Sequence, residues 1–283
     1  MNYRHAYHAG NHADVLKHAV LARIVFYLTQ KSKAFAVLDA HAGLGVYDLF
    51  GTEAGKTAEW ETGVGLMSAP FAKEVEALLA PYRACIAAVN ANGGEQFYPG
   101  SPEIILRGLR AGDRLVANEL HPDDAATLRL NYSGETRLVA TVSDALHVIK
   151  AQLPFREKRG LVLIDPPYED KNETEKVARM LEQGHKRLPT GVFAIWYPVT
   201  TEVFVEGFMV AIKALGIGNI LRAELRIKQT HEASGLSGSG LLIFNPPYTL
   251  ESELNLMLPA LAQRLGVAGL GRHRLSWLTP PKG

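Results

Sequence analysis

The residues Asp165-Pro166-Pro167-Tyr168 follow the apolar run Leu161-Val162-Leu163-Ile164, so a buried strand ends in a stiff turn carrying a carboxylate and a phenol ring. Two prolines in succession fix φ and offer no backbone donor, which leaves the preceding carbonyl open to a ligand. A carboxylate, an open carbonyl and a flat ring together suit an amino group on a planar ring system. The same four letters also describe an ordinary strand and stiff loop. The rest of the chain has to decide between the two.

Three further segments place chemistry at strand ends. After the strand expected over 34–39 comes Asp39-Ala40-His41-Ala42-Gly43-Leu44-Gly45, where Gly43 and Gly45 let the backbone approach a ligand closely. A dinucleotide fingerprint needs a third glycine at position 48, which is Asp48, so hydride transfer loses its main support. The strand over 114–119 ends at Glu119, a carboxylate able to accept from both hydroxyls of a ribose. The strand over 137–142 is followed by Asp144, suited to accept from the exocyclic amine of an adenine. Either acid alone reads equally as a helix cap. The ordered set of glycines, Glu119, Asp144 and Asp165-Pro166-Pro167-Tyr168 suits a nucleoside-containing cofactor on the first three edges and an amino-bearing substrate on the fourth.

These edges need a scaffold. Further strands are expected over 161–165, 192–197, 220–227 and 240–245, with helical segments over 122–132 and 173–187 between them. Such alternation implies an α/β fold with a mainly parallel sheet and helices on both faces. Asn11 caps a helix expected to run to about Lys31, with Val15, Leu16, Ala19, Val20, Ile24 and Leu28 on one face. The interval 48–92 breaks the rhythm. It contains a helical run from Pro70 to Val89, expected to break at Pro81, and reads as a helical insertion.

Composition narrows the classes. Among 283 residues, 30 Lys and Arg stand against 29 Asp and Glu, a formal charge of +1, so there is no general basic field for nucleic acid. A polyanion would meet a local patch, such as Arg156-Lys158-Arg159, His185-Lys186-Arg187 or Arg272-His273-Arg274. The single Cys85 cannot form an intramolecular disulfide and fits a reducing compartment, and no long apolar segment marks a leader or membrane span. A soluble, cytoplasmic monomer is expected. The run Gly51-Thr52-Glu53-Ala54-Gly55-Lys56-Thr57 is one residue short of a phosphate loop and follows no buried strand. His5, His8, His12 and His18 cluster near Asp14 without a compact zinc spacing, so no metal site is expected. Asp14, Lys17 and His18 share a helical face that can hold a charged ligand tail.

In this order the motifs resemble those of class I S-adenosylmethionine-dependent amino methyltransferases. The N-terminal stretch from Tyr3 to His18, with Tyr98-Pro99-Gly100-Ser101-Pro102, Glu119-Leu120-His121-Pro122 and Trp196-Tyr197-Pro198-Val199, closely resembles bacterial 23S ribosomal RNA adenine-N6 methyltransferases of the J type. The resemblance covers nearly the whole chain. It implies a Rossmann-like sheet of seven strands in a methyltransferase domain of residues 1–47 and 93–283, with 48–92 as an inserted helical subdomain. It implies S-adenosylmethionine as cofactor, held by Lys17, His18, His41, Gly43, Gly45, Ser101, Glu119, Asp144, Ala145 and Asp165. Ala145 stands where the family often has glycine.

The implied substrate is 23S rRNA, free or in an early precursor, with Tyr3 and Tyr168 on the RNA side and Tyr168 stacked on the base. Asp165, the Pro166 carbonyl and Tyr168 are the expected catalytic groups. A second motif, Asn245-Pro246-Pro247-Tyr248, follows Leu241-Leu242-Ile243-Phe244. If that last strand is inserted antiparallel, Asn245 lies at the opposite edge and is structural. A DNA adenine or protein glutamine methyltransferase uses similar motifs, and a non-catalytic RNA-binding assembly factor could keep the fold. These remain the alternatives.

Overall fold

The computed structural model describes residues 4–229 and 235–281. In chain order the elements are α1 (His12–Thr29), β1 (Ala36–Asp39), β2 (Val46–Asp48), α2 (Thr52–Thr57), α3 (Lys73–Val89), β3 (Phe97–Pro99), α4 (Ser101–Gly108), β4 (Arg114–Asn118) and α5 (Pro122–Asn131). They continue with β5 (Leu138–Thr141), α6 (Ala145–Gln152), β6 (Gly160–Ile164), α7 (Glu173–Arg187), β7 (Val192–Val199), α8 (Glu202–Lys213), β8 (Ile220–Arg226), β9 (Gly238–Phe244), α9 (Leu250–Leu265) and β10 (Arg272–Thr279).

The main sheet runs β10-β8-β9-β7-β6-β1-β4-β5. The ladders from β7 through β6, β1 and β4 to β5 are parallel, and those joining β7 to β9, β9 to β8 and β8 to β10 are antiparallel. Side chains alternate across it as strand geometry requires. Leu161 and Leu163 of β6 enter the core layer shared with α1, α3, α4 and α9. Val162 and Ile164 enter the opposite layer, shared with α6, α7 and α8. Both faces of the parallel part are therefore covered, which is why these strands read as continuous apolar runs.

Helix α1 is buried on every side from His12 to Val25, more than the single apolar face expected of it. Its start follows the sequence signal, with the Asn11 side chain accepting from the Ala13 and Asp14 amides. Arg23 in its interior is tied to Glu253 of α9 by two bonds of 2.8 Å.

Three expectations need correction. The sheet has eight strands, because the stretch opening with Arg272-His273-Arg274 is an edge strand and not merely a basic patch. It is half exposed along its length, so it shows no apolar run. Helix α3 starts at Lys73 and continues through Pro81, since the carbonyl Pro81 leaves without a donor belongs to exposed Ala77. A short antiparallel ribbon of β2 and β3, paired Val46 to Pro99, brackets the interval that holds α2 and α3. Three-residue strands carry too little period to be read from sequence.

Strand β9 also locks the aromatic pair of β7. Trp196 Nε1 donates to Ser239 Oγ at 2.7 Å, and the fully buried Tyr197 ring lies against Gly240, where a Cβ would stand 2.0 Å from the ring. The Tyr197 hydroxyl donates to Glu224 Oε2 at 3.0 Å and accepts from Arg222 Nε at 3.1 Å, so the ring cannot move aside cheaply. Gly240→Ala is expected to lower stability by about 1–3 kcal/mol through overpacking. Urea unfolding checks this as a lowered midpoint at unchanged slope.

Candidate active site

The carboxyl ends of β1, β4, β5 and β6 open together into a cavity of about 1000 Å³. Its position beyond the strand ends is where open parallel sheets bind ligands. Its size is at the upper end for a small-molecule site, enough for a nucleoside cofactor and part of a second substrate. Lys17 and His18 from α1, His41 and Gly43 from the loop after β1, and Ser101 from the start of α4 line it. Glu119 after β4, Asp144 and Ala145 after β5, and Asp165 with Pro166 after β6 complete this set.

One residue not anticipated from sequence holds three of these loops in register. Asn118, fully buried at the end of β4, donates to the Ala40 and Ser143 carbonyls at 3.1 and 2.9 Å, accepts from Thr141 Oγ1 at 2.9 Å, and accepts the Ala42 amide on its own carbonyl at 2.8 Å. Its neighbour Glu119 is fixed at both oxygens, by the Gly43 amide at 2.9 Å and the His121 amide at 2.8 Å. Each oxygen keeps a second lone pair for a ribose hydroxyl. Gly43 has φ +63°, and a Cβ there would meet the Tyr47 hydroxyl at 2.0 Å, so glycine is required. Asp144 caps α6, accepting from the His147 amide at 3.1 Å, and lines the cavity as well. The helix-cap reading and the ligand reading are therefore compatible at this position.

The fourth edge is electrostatically built. Lys17, nearly inaccessible, forms ion pairs with Asp14 Oδ1 at 2.9 Å and with Asp165 Oδ2. Burial works against the Lys17 charge, but the two carboxylates raise its pKa well above the usual lysine value. Asp14 is buried against its own charge too, yet His5, Lys17 and His18 hold its carboxyl well below the ordinary range. It also accepts from the Gly10 amide and pairs with His5 Nε2, both at 2.9 Å. The Asp165 amide donates to His41 Nδ1 at 3.2 Å. Burial lowers the pKa of His41 to about 4, so the ring is neutral and carries its proton on Nε2. His18 Nδ1 pairs with the Tyr98 hydroxyl at 2.8 Å, and its Nε2 is buried without a partner among the described residues. An unmatched buried nitrogen at the cavity wall, with the open lone pairs of Glu119, fits a polar nucleoside cofactor.

Two sequence-level site residues are placed elsewhere, and a third is not seen. Tyr168 does not line the cavity. Its backbone sits at φ +50°, its hydroxyl donates to the Trp196 carbonyl at 3.0 Å, and its ring stands edge-on to Trp196 at 5.7 Å and Phe204 at 5.8 Å. The aromatic side chain that does reach the cavity there is Trp196. Gly45 does not line it either. A Cβ there would meet the Tyr132 ring at 2.4 Å, so this glycine serves packing. Tyr3 lies outside the described residues. Asn245 behaves as expected of a structural copy, donating through Nδ2 to the Pro189 and Gly191 carbonyls at 2.9 Å, at the end of the antiparallel β9.

A family model described as ribosomal RNA large subunit methyltransferase D, RlmJ, matches residues 32–279. The chain belongs to this family. A relative from Haemophilus influenzae, named ribosomal RNA large subunit methyltransferase J, is 40% identical over 281 residues and covers 99% of each chain. The Escherichia coli protein of the same name is 39% identical over 280 residues, again covering 99% of each. The crystal structure of a Legionella pneumophila protein superposes with a TM-score of 0.86 at 32% identity, over 95% of this chain and 98% of that one. Within this family's fold, the cavity described above is the methyltransferase site.

Beneath it lies Asp39, wholly inaccessible, with Oδ1 accepting from the His41 amide at 3.3 Å and Oδ2 without a partner among the described residues. Burial pushes its carboxyl up to about 7, against a hydrogen bond from Ser101 and with the charge of Asp165 adding to the rise. A folded pKa above the unfolded one means that protonation favours the fold. The stabilisation is complete below about pH 4 and is lost as pH rises through about 7. Asp39→Asn, permanently neutral, removes this dependence. Unfolding free energies measured in urea are expected to show the wild type losing up to about 4 kcal/mol relative to Asp39→Asn between acid and mildly alkaline pH. Parallel pH profiles would rule out a raised Asp39.

Proposed function

We propose that the protein transfers the methyl group of S-adenosylmethionine to the exocyclic N6 amine of an adenine in 23S ribosomal RNA. Family membership supports the RNA class. The observation that carries the chemistry is the fourth edge, where the Asp165 carboxylate and the Pro166 carbonyl line one cavity with the loops suited to a nucleoside. The Pro166 carbonyl accepts no hydrogen bond among the described residues, so it is open to a donor.

The cofactor supplies an electrophilic methyl on a sulfonium centre. Glu119 would hold its ribose and Asp144 its adenine amine, with His41, Ser101 and His18 on the remaining polar groups. The acceptor amine is a poor nucleophile because its lone pair is delocalised into the ring. Accepting both of its N–H bonds on Asp165 and the Pro166 carbonyl frees that lone pair and aims it, an effect of alignment and electrostatics. Lys17 anchors Asp165 through Oδ2, so the carboxylate cannot swing away. As the nitrogen becomes cationic, Asp165 takes the proton, since a carboxylate is too weak a base to deprotonate the neutral amine beforehand. The target base must leave its stack to enter the cavity. Every lining group comes from a single chain, so a monomer suffices. We also read 48–92 as an inserted subdomain that shapes the RNA-facing side.

Asp165→Asn keeps the shape of the site and removes the anion. It is expected to bind S-adenosylmethionine normally in calorimetry while methyl transfer drops by about 100-fold or more. Transfer of labelled methyl should appear as N6-methyladenosine in large-subunit RNA, and not in plasmid DNA or protein. Undiminished turnover by Asp165→Asn would sink the role of this carboxylate.

A further inference from the structure

The cavity has a second side, away from the cofactor loops, formed by the first turn of α1 and by the short helical turn Glu59–Thr62. Its polar groups are almost all engaged within the protein. Asn11 caps α1 through Oδ1 and donates Nδ2 to Glu59 Oε2 at 2.9 Å. Glu59 Oε1 pairs with His8 Nδ1 at 3.0 Å. The Thr62 hydroxyl donates to the Glu59 carbonyl at 3.2 Å, and the Trp196 indole is held by Ser239. Lys17 is held between two carboxylates.

His12 differs. It is only 8% exposed, it lines the cavity, and its Nε2 is buried with no hydrogen-bond partner among the described residues. Buried polar atoms are nearly always satisfied, so one left open at a cavity wall marks a position that a ligand completes. The other unmatched nitrogen on this wall, His18 Nε2, sits with the cofactor groups.

We propose that this side is the acceptor-nucleotide subsite and that His12 Nε2–H donates a hydrogen bond to the purine ring nitrogen beside the reacting amine. The inference rests on the adenine-N6 reading above and deepens it. N6 of adenine is flanked by N1 and N7, both acceptors, so a donor next to Asp165 meets one of them once the amine is engaged. Guanine presents N1–H and a carbonyl on the same edge, which oppose His12 and Asp165 respectively. Burial lowers the pKa of His12 to about 4, so the ring is neutral at physiological pH, with one nitrogen protonated and the other not. His12 is thus a positioning and specificity residue, one turn of helix away from the lysine that anchors the catalytic carboxylate.

The test uses the full chain and three RNA substrates that carry adenine, 1-deazaadenine or 7-deazaadenine at the target position. The wild type should lose about tenfold in kcat/KM on one deaza substrate, the scale of one neutral hydrogen bond. His12→Leu should lose the same factor on adenine RNA and nothing further on that deaza substrate, with its affinity for S-adenosylmethionine unchanged. His12→Gln, which returns an N–H at similar reach, should recover most of the activity. Equal wild-type rates on all three RNAs, or a full additional loss when His12→Leu meets either deaza base, would overturn the proposal. If His12→Leu does not fold, the wild-type series and His12→Gln decide alone. No transfer by the wild type to the adenine RNA would overturn the parent reading, and this one with it.

Discussion

The structure turns on a buried charge arrangement, Asp14–Lys17–Asp165. One ammonium lies between two carboxylates, and the acid it holds at the end of β6 is 148 positions away from it in the chain. None of the three groups could be ionised alone at that depth, because desolvation would neutralise it. Such an arrangement is weak evidence for stability, since apolar residues of similar volume often do as well. What it fixes is register. It pins the first turns of α1 to the one strand edge where chemistry occurs, and this explains why α1 is buried all round and not just along a stripe. The carboxyl of Asp14 is in turn held by the Gly10 amide and His5, so the segment before the helix is organised by the same charge.

The two Pro-Pro-Tyr copies show how topology assigns chemistry. Both end apolar strands, and both leave a residue at positive φ, Tyr168 in one and Asn245 in the other. Because β6 is parallel to β1 and β9 is antiparallel to β7, the copies face opposite ends of the sheet. At one end the polar residue meets Lys17 and the loops of β1, β4 and β5. At the other, Asn245 finds only backbone carbonyls and the Asn219 amide, and it closes a loop.

Much of this was legible in the sequence because long strands carry a clear signal. The seven apolar runs, the Asn11 cap and the glycine and carboxylate edges all correspond to observed elements. Edge strand β10 and the β2–β3 ribbon were not legible, one being half exposed and the other too short to show a period. Residue type was a poorer guide to direction. Tyr168 has the right chemistry for stacking on a base, but its backbone turns the ring into Trp196 and Phe204, and no pattern of letters encodes that turn. Gly45 stands in the expected spacing, yet the side chain that demands it, Tyr132, arrives from the end of α5. Asn118 and Asp39 were passed over because a polar residue at a strand end gives no sign of how many loops it will touch.

The two sides of the cavity are made of different material, and this has a consequence for specificity. The cofactor side is built from strand ends whose positions are set by the parallel ladder and stapled by Asn118, so it is rigid by construction. The opposite side comes from the first turn of α1 and the turn at Glu59–Thr62, which join the sheet only through Lys17 and packing. Changes there leave the cofactor loops in place, so a fold shared by many methyltransferases can be retargeted without rebuilding its electrophile site. The catalytic acid sits where the two meet, held to the first side by the His41 contact on its amide and to the second by Lys17. The acceptor therefore enters a site whose two walls are aligned by the same residue that engages its amine, and this is the pre-organisation that methyl transfer to a weak nucleophile requires.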